Sequence, residues 1–221
     1  MVSMAGLAET VLGVRGADAL ADAVRAVWAS LASGRALTYL ANNGVKDVGM
    51  GVVIQPMVRA VAAGVMFTRQ TKKAPGRVIN AGVGLGSPVV DGVTTPDMIL
   101  LAEDGTVLEQ TIARKHRATV IGDDGLEEIA VERPDEPALN GKHLAELAHA
   151  ANELERLDDV PWDVEFACDG DHVLIVQARH VTGLGFPAGG DAETVWSNVN
   201  VGEALPGVAT PFTWSVAGAY S

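Results

Sequence analysis

Apolar residues near the amino terminus recur at the spacing of one helix face. The positions that lie three or four residues apart are Leu20, Val24, Val27 and Leu31. Asp18 precedes them as a candidate N-cap, and Gly44 is of the residue type that commonly ends a helix. The first fifth of the chain is therefore predicted to be mostly helical.

After Gly49 the pattern changes to short runs of β-branched and apolar residues, separated by Gly, Pro and Asp. The predicted strands are residues 52–55, 65–68, 78–81, 98–101 and 107–113. A later helix follows the cap residue Asn140, with apolar positions at 144, 147, 151 and 154. Two final strands, 162–168 and 173–178, flank the turn sequence DGDH, which predicts a β-hairpin.

The predicted hairpin carries polar residues whose relative placement depends on the length of its turn. Side chains alternate between the two faces of a strand, so Asp163 and Glu165 share one face. With an odd number of turn residues, such as 170–172, Glu165 lies opposite Gln177. Asp163 then lies opposite Arg179. An even number would send Glu165 and Gln177 to opposite faces, and an ordinary edge hairpin with a solvated polar face also fits the pattern.

If these groups converge, their chemistry suits a metal-bound polyphosphate. A carboxylate and an amide oxygen are hard ligands of the kind that Mg²⁺ accepts, with water and phosphate completing its shell. An arginine beside them can contact a phosphate with two hydrogen bonds. The hairpin is therefore the stretch in which the sequence concentrates candidate chemistry.

Charge and cysteine content narrow the classes of function. The 221 residues include 16 Lys and Arg against 28 Asp and Glu, a net charge of −12, which repels a nucleic acid backbone. The single cysteine, Cys168, excludes an intrachain disulfide and any cluster of several cysteines on a metal, and it is predicted to lie in the core. Apolar runs stay below the ~18 residues of a membrane span. A cytoplasmic setting, without nucleic acid or membrane as partner, is expected.

The sequence also contains a lysine and two histidines that could be read as ligand contacts or as ordinary surface residues. Lys115 lies in the cationic stretch 114–117 and is either a phosphate contact or part of a solvated strand end. His143 and His149 are six residues apart on the predicted helix, a spacing that does not place two zinc ligands on one face. Both are predicted to be solvated helix histidines.

The hairpin sequence WDVEFACDGDHVLIVQARHVT resembles the closing signature of the phosphoenolpyruvate synthase and pyruvate phosphate dikinase family. That signature is a hydrophobic strand with a glutamate, a DG turn, and a strand ending in Gln-x-Arg. By the resemblance, Glu165 and Gln177 hold the metal and contact the nucleotide. Arg179 contacts phosphate and is the candidate catalytic residue.

Three further stretches resemble the same family, in the same order along the chain. GVVIQPMVRAVAAGVMFT resembles the segment that receives adenine, which implies Gln55, Met57 and Val58 as base contacts, although a buried strand followed by another strand fits too. SMAGLAETVLGV resembles a segment whose Gly and Thr approach the phosphates, here Gly6 and Thr10. AGVGLGSPVVDGVTTPD resembles a glycine-rich run that ends in VTPD. Leu7 and Ser87 replace a usual Gln and a usual Glu.

The resemblance implies an α+β fold, the larger subdomain of an ATP-grasp domain, with a mostly antiparallel sheet and flanking helices. Residues 1–183 would form this partial ATP-binding domain, and 184–221 a linker or docking segment toward a downstream domain. The implied function is binding of Mg-ATP for phosphorylation of a histidine carrier and then of pyruvate. A first lobe and a phosphohistidine domain would be supplied from elsewhere, so the isolated chain is expected to be inactive. The alternatives are a fragment of a rifampin-type phosphotransferase or a non-catalytic remnant that acts as a docking module.

Overall fold

The computed structural model describes residues 8–45, 47–69, 76–86, 95–123 and 125–181. Its helices are α1 (Ala17–Ser30), α2 (Gly34–Asn42) and α3 (Gly141–Leu157). Its strands are β1 (Ala62–Phe67), β2 (Arg77–Val83), β3 (Asp97–Leu101), β4 (Val107–Thr111), β5 (Arg117–Ile121), β6 (Leu126–Ala130), β7 (Trp162–Cys168) and β8 (Val173–His180). None of the described helices is long and apolar enough to cross a membrane. The segment 184–221 lies outside the described residues.

Six strands form one sheet in the order β4-β3-β2-β1-β7-β8, and every neighbouring pair is antiparallel. β5 and β6 form a separate two-stranded sheet. β1 to β4 follow one another as a meander, and the chain then returns through α3 to place β7 beside β1. The α+β class with a mostly antiparallel sheet and flanking helices is thereby confirmed.

Helix α3 covers one face of the main sheet and creates the core. The buried residues of this core are Ala62, Met66, Ile79, Ala81, Ile99, Leu101, Val164, Phe166 and Cys168 from the strands and Leu144, Leu147 and Ala151 from α3. Strand residues between them, such as Val65 and Met98, are only partly buried or exposed because they point to the opposite face. Cys168 is fully buried, and burial raises the pKa of its thiol to about 12, as expected for a core cysteine.

The start of α3 is fastened to the turn of the β7–β8 hairpin. The side chain of Asn140 accepts a hydrogen bond from the His143 amide (3.0 Å), and the His143 ring accepts one from the Asn140 amide (3.4 Å). The other ring nitrogen of His143 lies 3.3 Å from the carbonyl oxygen of Gly170. His143 is therefore buried, and the prediction of a solvated side chain was wrong for it, whereas His149 is exposed.

Two local predictions require correction, and two strands were missed. Asp18 is not the N-cap of α1, because the helix begins one residue earlier with Gly16 as its cap, and Asp18 lies in the first turn. Residues 52–55 form no strand, since no described strand runs beside them to complete a ladder, and Val53 remains 86% exposed. The strands β5 and β6 were not predicted. Every side chain of β6 is exposed, so the strand lacks the alternation that reveals a half-buried strand.

A buried ion pair joins β3 to the chain that leads into β5. The ammonium group of Lys115 lies 2.5 Å from Oδ1 of Asp97, and neither side chain is more than 4% exposed. Asp97 also accepts hydrogen bonds from the amides of Ala113 (2.9 Å) and Ala138 (2.7 Å). Lys115 is thus neither a phosphate contact nor part of a solvated strand end. The carboxylate of Asp97 connects three segments of the domain.

Replacing Lys115 by alanine is expected to destabilise the domain by about 3–5 kcal/mol, because the charge of Asp97 would remain buried without its partner. The matched control is Arg117→Ala. It removes a cation whose partner, Glu128, is 54% exposed, and the expected loss is about 0–1 kcal/mol. Urea unfolding measures both changes. Equal losses in the two variants would contradict the structural role of the Asp97–Lys115 pair.

Candidate nucleotide site

The β7–β8 hairpin brings its polar residues together on the face of the sheet opposite α3. Glu165 pairs with Gln177 across the two strands, and Asp163 pairs with Arg179. Val164 and Phe166, which alternate with them, are buried against α3. The predicted pairing is therefore confirmed.

The pairing depends on a β-bulge that the sequence pattern did not predict. The turn holds an even number of residues, since Cys168 pairs with Val173 and the Asp169 amide donates to the carbonyl of His172 (3.2 Å). An even turn alone would send Gln177 to the wrong face. A β-bulge shifts the register after Glu165 and leaves Val176 without a partner on β7. Because β8 has this one extra residue, Gln177 lies on the same face as Glu165.

The main electrostatic feature of this face is the carboxylate of Glu165, whose charge is only partly balanced by its neighbours. The guanidinium of Arg179 contacts Oδ2 of Asp163 through Nε (2.8 Å) and one terminal nitrogen (2.7 Å). Burial raises the pKa of Glu165, repulsion from Asp163 raises it further, and attraction to Arg179 opposes both effects. A cation placed beside Glu165 would stabilise the charged form of its carboxylate.

A cavity of about 610 Å³ lies between α1 and the segment 50–57. Thr10, Gln55 and Met57, which were predicted as nucleotide contacts from separate stretches, all line it. Its other walls include Leu20, Val24 and Val27 of α1 and Ile121 at the end of β5. The cavity is therefore partly apolar, with a few polar groups among its lining residues, as small-molecule sites commonly are.

The cavity adjoins the hairpin through the side chain of Gln55, whose amide nitrogen lies 3.4 Å from the carbonyl oxygen of Val176 in the bulge. Glu165, Gln177 and Arg179 do not themselves line the cavity. Val58 packs nearby in a small apolar cluster with Ala60, Ala63, Leu85 and Ala167. Gly6 lies outside the described residues. Apart from Val58, the predicted site residues that the structure describes thus fall into two adjoining groups, one at the cavity and one on the hairpin.

Sequence reasoning missed two contributors to this region. The apolar stripe of α1 was recognised as a helix face, but nothing in it indicates that the stripe lines a cavity. Ile121 belongs to β5, which was not predicted as a strand. A strand-by-strand pattern carries no signal for such contacts, since they arise only when distant segments pack together.

Comparison with known proteins identifies the domain. Residues 1–194 match the family model described as the pyruvate phosphate dikinase, AMP/ATP-binding domain. The chain belongs to this family. The AMP/ATP-binding domain assignment agrees with the ATP-grasp expectation.

Relatives of this AMP/ATP-binding domain carry several names. A rifampicin phosphotransferase of a Streptomyces species is 38% identical over 84% of this chain and 22% of its own length. A phosphoenolpyruvate synthase of Aeropyrum pernix is 32% identical over 88% of the chain and 27% of its own length. The prodigiosin synthesizing transferase of Serratia marcescens is 34% identical over 95% and 26%. The chain thus spans about a quarter of the length of these relatives.

The hairpin can supply only some of the oxygen ligands that a magnesium ion needs. Among the described residues, no group of three or more His, Cys, Asp or Glu side chains could hold a metal by itself. Glu165 and Gln177 offer two oxygens, while Asp163 is engaged by Arg179. Mg²⁺ is often bound by one or two protein groups together with phosphate and water, so this sparse set suits a metal that arrives with a polyphosphate.

The Asp163–Arg179 pair should contribute measurably to stability, since Asp163 is only 12% exposed. A double-mutant cycle of Asp163→Ala and Arg179→Ala is expected to give a coupling free energy of about 1 kcal/mol in urea unfolding. The exposed Glu153–Arg156 pair on α3 is the matched control, with a coupling of about 0.3 kcal/mol or less. No greater coupling across the hairpin than on the helix would show that the two β-strand residues are not held together.

Proposed function

We propose that this chain is the Mg-ATP-binding part of a phosphoenolpyruvate synthase-like phosphotransferase. It would support ATP-driven phosphorylation of a histidine carrier and then of pyruvate. The observation that carries the proposal is the register of the β7–β8 hairpin, which pairs Glu165 with Gln177 and Asp163 with Arg179 beside the cavity that Gln55 borders.

Each group has a defined task in this proposal. The base lies in the cavity against Gln55 and Met57, with Val58 packed next to them, and the phosphates extend past Thr10, with Gly6 as a further contact. Apolar lining residues shield the base from water, and the polar lining residues fix its orientation. The main chain of Met57 supplies hydrogen bonds to the base edge.

The hairpin serves the phosphate end. Glu165 and Gln177 would hold magnesium, which when bound neutralises charge on the phosphate oxygens. Arg179 uses Nε and one terminal nitrogen for Asp163, and its other terminal nitrogen, which bonds to no described residue, can contact a phosphate oxygen. Because the side chain of Arg179 is 47% exposed, it can shift toward a ligand without breaking the core. Asp163 thereby orients the candidate catalytic arginine.

The final acceptor distinguishes two candidate enzymes. The 38% identity to a rifampicin phosphotransferase makes a rifampin-type phosphotransferase fragment the second candidate. In either case the acceptor, the first ATP-grasp lobe and the phosphohistidine domain would come from chain outside these residues or from a separate chain. The setting would be cytoplasmic. A non-catalytic remnant that acts as a docking module is the remaining alternative, and direct binding of Mg-ATP separates it from both enzymes.

Binding to the isolated chain should be weak, because a single lobe leaves one side of the nucleotide in water, where charge contacts are screened. A dissociation constant on the order of millimolar, about −4 kcal/mol, is expected. At ten times that concentration, ligand linkage stabilises the fold by about 1.4 kcal/mol. For a domain of this size the melting temperature should rise by a few degrees.

This thermal shift should require Mg²⁺ and should disappear in Glu165→Ala and in Arg179→Ala, which remove a metal ligand and a phosphate partner. The control is Glu153→Ala on the exposed side of α3, where the shift should persist. A shift that survives both site substitutions would place the nucleotide elsewhere. Absence of any shift in the unmodified chain would support the remnant.

A further inference from the structure

The segment 8–16, which carries Thr10 and forms one wall of the cavity, is held by contacts to three distant parts of the chain. The amide of Glu9 donates to the hydroxyl of Ser30 (3.1 Å). The amide of Gly13 lies 2.9 Å from the sulfur of Met57, a weak acceptor. The third contact is made by Arg15, and it alone involves a charged group.

Arg15 reaches the tip of the β5–β6 hairpin. One terminal nitrogen of its guanidinium donates to the carbonyl of Gly122 (2.6 Å), and the other donates to the carbonyl of Asp123. Hydrogen bonds from a charged donor are stronger than neutral ones, and the planar guanidinium holds both carbonyls in one geometry.

The same hairpin tip packs directly against the segment. A Cβ atom added at Gly13 would lie 3.2 Å from Cγ of Leu126, so the two chains approach closely there. Gly13 also has a positive φ of 71°, which favours glycine. The turn at Gly13 and the fork of Arg15 thus fix two neighbouring points of the segment on one hairpin.

The β5–β6 hairpin is in turn hydrogen-bonded to the chain that leaves the main sheet after β2. The amide of Leu85, just beyond β2, donates to the carbonyl of Thr119 (2.8 Å). Gly84 approaches the same carbonyl so closely that an added Cβ would lie 2.3 Å from its oxygen. The position of the hairpin tip is therefore set by the sheet, and Arg15 transmits that position to the segment 8–16.

We propose that Arg15 is a positioning residue for the phosphate end of the nucleotide site. By locking the segment 8–16 onto the β5–β6 hairpin, it keeps Thr10 at the cavity wall in the place that a polyphosphate requires. This inference rests on the proposed function. Gln55 and Met57 belong to another segment, which segment 8–16 touches through the weak contact of the Gly13 amide with the Met57 sulfur. Arg15 therefore acts more on recognition of the triphosphate than on recognition of the base.

The test compares two ligands by NMR titration of the full chain, a method suited to weak binding. Arg15→Ala removes both hydrogen bonds of the fork and should weaken Mg-ATP binding by about tenfold, while it should change the affinity for adenosine by less than about twofold. Arg15→Lys should show an intermediate loss for Mg-ATP, because an ammonium lacks the rigid fork. The matched control is Arg25→Ala, which removes an exposed arginine of α1 that pairs locally with Asp22.

The outcomes separate the two levels of inference. If the unmodified chain binds neither ligand, the proposed function fails, and the role of Arg15 fails with it. If the unmodified chain binds Mg-ATP and Arg15→Ala binds it equally well, only the role of Arg15 is overturned. An equal loss for adenosine and Mg-ATP would also overturn it, since a general structural effect would reach the base. If Arg15→Ala does not fold, equal Mg-ATP binding by Arg15→Lys and the unmodified chain overturns the proposal.

Discussion

Burial of one sheet face beneath α3 is the constraint on which the rest of the domain depends. Because side chains alternate along every strand, packing Val164 and Phe166 against the helix forces Asp163 and Glu165 onto the opposite face. The same rule leaves Val65 and Met98 facing away from the core. The candidate site is thus a consequence of core packing, and a carboxylate such as Glu165 can remain partly buried and incompletely paired without weakening the core itself.

The sequence predicted this face correctly but for an incomplete reason. The polar alternation of β7 and β8 is visible in the residues, and so are the cap at Asn140 and the apolar stripe of α3. The bulge at Val176 is not visible, because a bulge depends on how two strands fit together and Val176 is an ordinary strand residue. An even turn and one bulge have the same effect on phase as an odd turn without a bulge. The family resemblance does not depend on the number of turn residues, and it also implies that Glu165 and Gln177 act together.

Other features lay beyond the reach of the pattern because they are tertiary. Lys115 looks like a surface cation in the sequence, yet it is buried because Asp97, 18 residues earlier, offers a partner. Residues 52–55 have strand propensity but no neighbouring described strand, so propensity did not prevail. The cavity joins α1, the segment 50–57 and the end of β5, and no local rule connects these three stretches. Thr10 and Gln55, which the family resemblance implies as nucleotide contacts, both line this cavity.

The central claim is that the cavity and the hairpin face together form one site for a metal-bound nucleotide. The most direct measurement is the broadening of backbone NMR signals by Mn²⁺-ATP in the ¹⁵N-labelled chain, since Mn²⁺ accepts the same oxygen ligands as Mg²⁺ and broadens the signals of nearby nuclei. If the two form one site, broadening will be strongest at Glu165 and Gln177, clear at Thr10, and weakest of these at Glu153 on α3, on the far side of the sheet. Broadening centred on α3, or at the hairpin with Thr10 unaffected at saturating nucleotide, would contradict it.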